Sequence, residues 1–342
     1  MKIFVTGAQG FVGRYVVGSM LRGCTTDILG IGRSSRQDDT FTHAVRCRDR
    51  AVQAPLPEQL KRTLSDRRYR YEAVDITDRK AVAAMLRGFR PDVVVHLASG
   101  LRDDDTEHLE RTNVLGSTTL VEAVAEAGAA IRMLVLGSTG GVYGAAARIP
   151  IPETAPFAPV DPYSRSKAAA ERATRELAQR ESVPVLWARL FNIVGPGQDE
   201  RHVCGRFAAQ AVAIAHGASD KHIEAGNLES TRDFIDVRDV ALALERLAIA
   251  GVAGEAYNVS SGVEVKIGDV LDLTLRAAAV ESVARLTALP PRENDIARHA
   301  GDASKLEALG FRRRFSLAES VGDVVRYYVE DVERTAATGS SS

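Results

Sequence analysis

Thr6-Gly7-Ala8-Gln9-Gly10-Phe11-Val12-Gly13 is the stretch that decides how this chain folds. The residues before it, 3–6, are apolar and β-branched and read as a strand, while 11–21 carries a helical pattern. The glycines therefore fall in a strand-to-helix turn. There Gly7 allows the tight turn, Gly10 lets backbone N–H groups approach a pyrophosphate, and Gly13 permits close packing of helix on strand. The first turn of the helix, Phe11, Val12 and Gly13, then offers its positive end to the anion.

Working outward, residues 28–31, 71–74, 93–96, 133–136 and 183–190 read as further strands, several almost wholly apolar, as strands covered on both faces are. Helical patterns at 79–88, 106–127 and 163–180 alternate with them. The expected fold is α/β: a doubly wound parallel Rossmann sheet with a smaller C-terminal α+β substrate domain. The expected division is 1–190 for dinucleotide binding and 191–334 for substrate, with part of 230–260 returning to the first domain. Helices are expected at 207–216, 240–248, 267–278 and 317–328. Residues 34–68 form a charged insertion too long for an ordinary connection, with one short helix at 58–65. The small, polar stretch 335–342 reads as a disordered tail.

Composition narrows the function classes. The 342 residues are 45% hydrophobic and 26% charged, with a formal net charge of −1, which gives no bulk attraction to nucleic acid or to a membrane surface. Cys24, Cys47 and Cys204 are dispersed and suit a reducing compartment. The first residues lack a signal-type apolar run and no 18-residue apolar stretch occurs, so a cytoplasmic protein is expected. The histidines are scattered, and His216 and His222 lack partnering cysteines, so no metal site is expected.

Two features carry chemistry. The second strand runs into Ile31-Gly32-Arg33-Ser34-Ser35-Arg36, where an NAD-specific site would present a carboxylate to the ribose 2′-hydroxyl. Arg33 and Arg36 with the serines instead suit a 2′-phosphate, so NADPH is favoured over NADH. Tyr163-Ser164-Arg165-Ser166-Lys167 sets a phenol and an ammonium at i and i+4 on one helix face, where the cation is expected to lower the phenol pKa. Gly137-Ser138-Thr139-Gly140-Gly141 follows the fifth strand, where Thr139 can hydrogen-bond a substrate oxygen. His96 reads as a strand-end histidine satisfied by hydrogen bonds.

Together with Asp75-Ile76, His96-Leu97-Ala98-Ser99, Asn113 and Leu190-Phe191-Asn192-Ile193-Val194-Gly195-Pro196-Gly197, these motifs make the chain resemble the extended short-chain dehydrogenase/reductases that act on nucleotide sugars. The resemblance covers almost the whole chain. It implies that Asp75 and Ile76 contact adenine, that Leu97, Ala98 and Ser99 line the dinucleotide, and that Asn113 lies by the active site among the cofactor contacts. It also joins Thr139 to Tyr163 and Lys167 as the catalytic set, with Tyr163 and Lys167 touching the cofactor as well. The segment Gly226-Asn227-Leu228-Glu229-Ser230-Thr231-Arg232-Asp233-Phe234 resembles the subgroup of GDP-mannose 4,6-dehydratases and GDP-4-keto-6-deoxymannose reductases. On that resemblance Asn192, Asn227, Arg232 and Arg292 bind a nucleotide-diphosphate sugar.

One departure separates reaction types. Dehydratases of this family carry a Glu, often preceded by Asp, after the catalytic Thr; this chain has Gly140 and Gly141. Elimination then lacks its acid/base, and the expected reaction is NADPH-dependent reduction of the C4 ketone of a 4-keto-6-deoxyhexose linked to GDP, or alternatively to dTDP. A nucleotide-sugar 4-epimerase with tightly held NAD, and a non-catalytic dinucleotide-binding protein, stand as the alternatives. The family also implies a homodimer formed through helices 106–127 and 163–180.

Overall fold

The computed structural model describes residues 1–342 except 24, 36, 37, 48, 49, 218, 219, 291–294, 333 and 335–342. Arg36, Arg292 and the tail expected at 335–342 lie outside the described residues.

Seven parallel strands form the central sheet. Across it the order is Ala256–Val259, Val185–Leu190, Met133–Thr139, Val93–His96, Lys2–Thr6, Asp27–Gly32 and Tyr69–Ala73. The order reverses direction beside Lys2–Thr6, which makes the carboxyl end of that strand the topological switch point where such sheets bind ligands. Side chains alternate faces: Ile3 and Val5 join one apolar cluster with Tyr15, Val16 and Leu244, while Phe4 joins another with Val82, Leu120 and Trp187. Both faces are covered, so the strands read as continuous apolar runs and the expected α/β architecture is found.

The first-layer helices are Phe11–Met20 and Val237–Ala250 on one face and Arg79–Phe89, Gly116–Glu126 and Pro162–Glu181 on the other. Strand Ala256–Val259 and helix Val237–Ala250 come from late in the chain yet pack on the central sheet. The remaining C-terminal elements are helices Val203–Ala215, Ile267–Ala277 and Leu317–Tyr327 with short two- and three-stranded ribbons.

The structure corrects three local expectations. The third strand is Tyr69–Ala73 rather than 71–74; it is the sheet edge, half solvated, so apolar content marks it poorly. The helix expected over 106–127 is broken into Thr106–Leu109, a π-turn at Glu110–Leu115 and Gly116–Glu126. The insertion holds an antiparallel hairpin, Thr40–Cys47 with Arg50–Pro55, besides the expected helical turn at Glu58–Lys61. That hairpin is tied down from both halves of the chain. Arg14 donates to the Asp38 and Thr40 carbonyls at 3.0 and 2.9 Å, and Tyr327 donates to the Pro55 carbonyl at 2.9 Å.

No described helix is long and apolar enough to cross a membrane.

Candidate active site

At the switch point a cleft of about 1480 Å³ opens between the sheet edge and the C-terminal elements. A single-ligand site is usually about 300–1,000 Å³, so this cleft has room for two bound molecules. Its walls include Gly7, Gly10, Phe11, Val12, Gly13, Arg33, Ser34, Asp75, Ile76, Leu97, Ala98 and Ser99 on one side, Thr139, Tyr163 and Lys167 at its floor, and Asn192, Asn227 and Arg232 opposite.

The glycine turn is built for close approach. Gly7 has φ +67°, and a Cβ there would lie 2.6 Å from the Ala98 nitrogen. A Cβ on Gly13 would lie 2.1 Å from the Gly7 carbonyl oxygen. Helix Phe11–Met20 starts with no side-chain cap, leaving its first N–H groups available to an anion. Beside them the Gln9 side-chain nitrogen is buried with no hydrogen-bond partner among the described residues. A buried orphan donor and uncapped amides around a backbone cradle are what a pyrophosphate needs, so these residues fit a dinucleotide.

Farther along this wall, Asp75 Oδ1 accepts from the Thr77 amide at 2.9 Å, and Oδ2 accepts from Arg111 at 3.2 Å. Burial raises the Asp75 pKa, but Thr77 and the cations Arg111 and Arg33 outweigh it and hold the carboxyl below its usual range. Arg33 reaches His108 at 3.4 Å, and the Ser34 carbonyl accepts from Tyr71 at 2.8 Å. His96 is fully enclosed, its two ring nitrogens 2.7 Å from Thr6 Oγ1 and 3.0 Å from Ser117 Oγ, and burial pushes its pKa down to about 3. It is structural, as expected.

Thr139, Tyr163 and Lys167 converge on the floor of the cleft. Helix Pro162–Glu181 is started by Asp161, whose carboxylate accepts from the Ser164 amide at 2.8 Å, with Pro162 at the first helical position. That fixes Tyr163 and Lys167 beneath the end of Met133–Thr139. Lys167 Nζ donates to the Gly137 carbonyl at 3.0 Å, and burial lowers its pKa to about 8. Thr139 Oγ1 accepts from the Gly141 amide at 3.1 Å, which leaves the hydroxyl hydrogen for another acceptor.

The phenol departs from expectation. Burial raises the Tyr163 pKa, opposed by the Arg102 guanidinium, 5.6 Å from the ring centre, and by a hydrogen bond with Ser99. Lys167 is not among the groups that oppose burial at Tyr163, and its Nζ donates to the Gly137 carbonyl of the neighbouring strand. Asn113 is corrected too. It is fully buried and does not line the cleft; its Oδ1 accepts from Ser99 Oγ at 2.9 Å and from the Gly100 amide at 2.8 Å.

Gly140 and Gly141 are glycines for a steric reason. A Cβ on Gly140 would lie 2.9–3.0 Å from the Phe191 ring, and one on Gly141 2.4 Å from Ser164 Oγ. A carboxylate side chain at either position has no room without repacking Phe191 or Ser164.

On the far wall, Asn192 Nδ2 donates to the Asp233 carbonyl at 2.9 Å. Arg232 donates to the Ile296 carbonyl at 2.6 Å and to Asp295 Oδ1 at 3.1 Å, while Asn227 donates to Asp295 Oδ2 at 3.2 Å. Burial lowers the Arg232 pKa and Asp295 opposes that. Arg102, His108 and His299 are among the wall residues that were passed over in the sequence. The run Arg102-Asp103-Asp104-Asp105, just past a strand end, was a legible signal; a lone His299 was not. Among the described residues no cluster of His, Cys, Asp or Glu could hold a metal.

A seven-stranded dinucleotide fold with a Thr/Tyr/Lys floor defines a class, the extended short-chain dehydrogenase/reductases. Within it, residues 3–260 match the NAD dependent epimerase/dehydratase family, and the chain belongs to that family. It is 38% identical over 197 residues to the GDP-6-deoxy-D-mannose reductase of Pseudomonas aeruginosa, a match spanning 56% of this chain and 64% of that protein. It is 29% identical over 334 residues to the UDP-glucose 4-epimerase of Mycolicibacterium smegmatis, covering 96% of this chain and 98% of that one. The solved structure of RMD from Pseudomonas aeruginosa complexed with NADPH superposes with a TM-score of 0.76 at 27% identity, covering 96% of this chain and 98% of that one. The chain is thus a nucleotide-sugar-modifying enzyme that uses a nicotinamide dinucleotide.

Proposed function

We propose that the enzyme reduces the C4 ketone of a nucleotide-linked 4-keto-6-deoxyhexose with NADPH. The favoured substrate is GDP-4-keto-6-deoxy-D-mannose, giving GDP-rhamnose or GDP-6-deoxytalose according to the face presented; a dTDP-linked ketohexose is the alternative. The observation that carries this reading is the crowding at Gly140 and Gly141 beside Thr139, Tyr163 and Lys167: side chains that can serve a ketone's proton transfer share the cleft, while a carboxylate side chain in that turn meets Phe191 or Ser164. The 38% identity to a GDP-6-deoxy-D-mannose reductase supports the substrate class.

NADPH supplies the hydride. The side chains manage the proton and the charge. Thr139 donates its free hydroxyl hydrogen to the carbonyl oxygen, and Tyr163 delivers its phenolic proton to the same oxygen as it becomes an alcohol. A raised phenol pKa suits this direction, since it keeps Tyr163 in its acid form before each turnover. Lys167 places a cation behind the helix and meets the nicotinamide ribose. Arg33, with Ser34, holds the 2′-phosphate, and Arg232, Asn192 and Asn227 hold the sugar-linked diphosphate. We take the protein to be cytoplasmic and a homodimer joined through segments 106–127 and 163–180; Leu115, the last residue of the π-turn in the first of them, stands 50% exposed.

The test is NADPH consumption with GDP- and dTDP-4-keto-6-deoxyhexoses made in situ, followed by NMR of the product's C4 configuration. Turnover of the GDP substrate is expected. No turnover of either sinks the reading, and cofactor released as NAD only on denaturation favours the 4-epimerase, which a relative aligned over almost the whole chain makes the second reading.

A further inference from the structure

His299 belongs to none of the motifs above, yet it stands at the centre of the far wall. It lies in strand Arg298–His299, which pairs in parallel with Thr231–Arg232 so that Arg232 and His299 are register partners. Register partners leave a ribbon on the same face. Both line the cleft. The His299 ring lies 5.0 Å from that of Phe191, and Phe191 is itself wedged between Gly140 and Gly301, where an added Cβ would lie 2.9 Å and 2.7 Å from its ring. The imidazole therefore has little freedom to turn.

Its two nitrogens have different duties. Nε2 is 3.1 Å from the Gly140 carbonyl oxygen, which can only accept, so Nε2 carries the hydrogen. Gly140 directly follows Thr139, so this bond ties the C-terminal wall to the turn that carries the catalytic threonine. Burial, with Arg232 and Arg102 nearby, lowers the imidazole pKa to about 4 against the opposing pull of the Gly140 bond. A neutral ring with hydrogen on Nε2 keeps a bare lone pair on Nδ1, which has no partner among the described residues.

We propose that His299 is a positioning and specificity-determining residue. Through Nε2–H it fixes the Thr139–Gly140 turn, and through Nδ1 it accepts a hydrogen bond from a ring hydroxyl of the hexose. The contact rests on the nucleotide-sugar reading above: a hexose whose diphosphate meets Arg232 and whose reacting carbon meets Thr139 must cross the space beside His299. A 6-deoxyhexose keeps ring hydroxyls as donors there, and a bare nucleoside diphosphate does not reach it.

Three variants separate the two duties. His299→Gln keeps an N–H near the Nε2 position and removes the Nδ1 acceptor; its KM for the ketohexose is expected to rise about tenfold, the worth of one hydrogen bond, with kcat within about twofold. His299→Asn keeps a polar group near Nδ1 and loses the bond to Gly140; kcat is expected to fall about tenfold with KM little changed. His299→Leu loses both. Melting curves check that each variant is folded, and calorimetry with GDP-mannose and with GDP, in the presence of NADPH, reads the contact without turnover. The sugar's added affinity should vanish in His299→Gln while GDP affinity stays. Equal kinetics in all four proteins, parallel loss of GDP affinity, or wild-type protein binding GDP-mannose no better than GDP overturns the proposal. Wild-type protein that turns over neither ketohexose, yet shows a sugar increment that His299→Gln loses, overturns the reductase reading and leaves the contact standing.

Discussion

The cleft has two walls made in different ways. On the dinucleotide side the surface is largely backbone, brought close by glycines whose Cβ positions are filled: 2.6 Å from the Ala98 nitrogen at Gly7 and 2.1 Å from the Gly7 oxygen at Gly13. On the opposite side the surface is side chains that hold one another, with Asp295 shared between Arg232 and Asn227. A backbone wall accepts one ligand geometry and changes little when charges are altered. A wall of mutually paired side chains can be retuned, because each ion is held by another that a substitution can remove. Between them stands the floor of Thr139, Tyr163 and Lys167.

The largest effect belongs to the floor. Tyr163→Phe removes the proposed proton donor while leaving the ring that Arg102 covers at 5.6 Å. Turnover should fall by about 10² to 10⁴, the usual contribution of a positioned acid, with NADPH affinity unchanged by fluorescence titration. Unaltered turnover would remove Tyr163 from the mechanism and favour a non-catalytic role.

Gly13→Ala attacks the backbone wall. Its new methyl meets a carbonyl oxygen at 2.1 Å inside a packed strand-to-helix turn, and overpacking of this kind costs about 1–3 kcal/mol. A lower melting temperature and weakened NADPH binding should appear together, since the same turn supports both. If only one changes, the turn is not the rigid cradle described.

How far the sequence disclosed these walls follows from the same contrast. The first wall and the floor were legible because their requirements are local: Gly7, Gly10 and Gly13 sit within one turn, and Tyr163 and Lys167 within one helical repeat. The central strands were legible because both faces are covered, which makes their composition unmistakable; the edge strand Tyr69–Ala73 lost that mark and was misplaced. The second wall joins residues far apart in the chain, such as Asn227 with Asp295 and His299 with Gly140, and neither spacing nor periodicity records such pairs. The hairpin Thr40–Cys47 with Arg50–Pro55 was hidden by its charge, since its anchors are a buried Arg14 and the late tyrosine Tyr327. Asn113 was found but misassigned, because its side chain turns to Ser99 and Ser166 instead of the cleft.

The floor also titrates. Lys167 has its pKa lowered from 10.5 to about 8 by burial, so it is a cation below about pH 8 and neutral above. If the cation supports reduction, kcat should fall as pH rises through about 8, approaching tenfold per pH unit, while Tyr163, shifted the other way, stays protonated across that window. Stability should move oppositely. Between about 8 and 10.5 the unfolded chain binds more protons at Lys167 than the folded one, so unfolding free energy rises with pH there. A pH profile of kcat that is flat to pH 9.5 would show that the charge of Lys167 does not support catalysis.

The smallest expected effect is the most discriminating for the second wall. Asp295 accepts from Arg232 at 3.1 Å and from Asn227 at 3.2 Å, so a diphosphate arriving at Arg232 competes with a carboxylate already there. Asp295→Asn keeps the shape and one acceptor oxygen but removes the negative charge. Partly solvated pairs of this kind are worth about 0–1 kcal/mol, so affinity for GDP and for the nucleotide sugar should improve by only a few-fold, with kcat unchanged. Binding should also grow more sensitive to salt, because more of the Arg232 charge becomes available to the phosphates. Weaker binding with no change in salt dependence would mean that Asp295 serves to shape the loop and that Arg232 does not meet the diphosphate. The second wall would then be a fixed support like the first, and the contrast between them would fail.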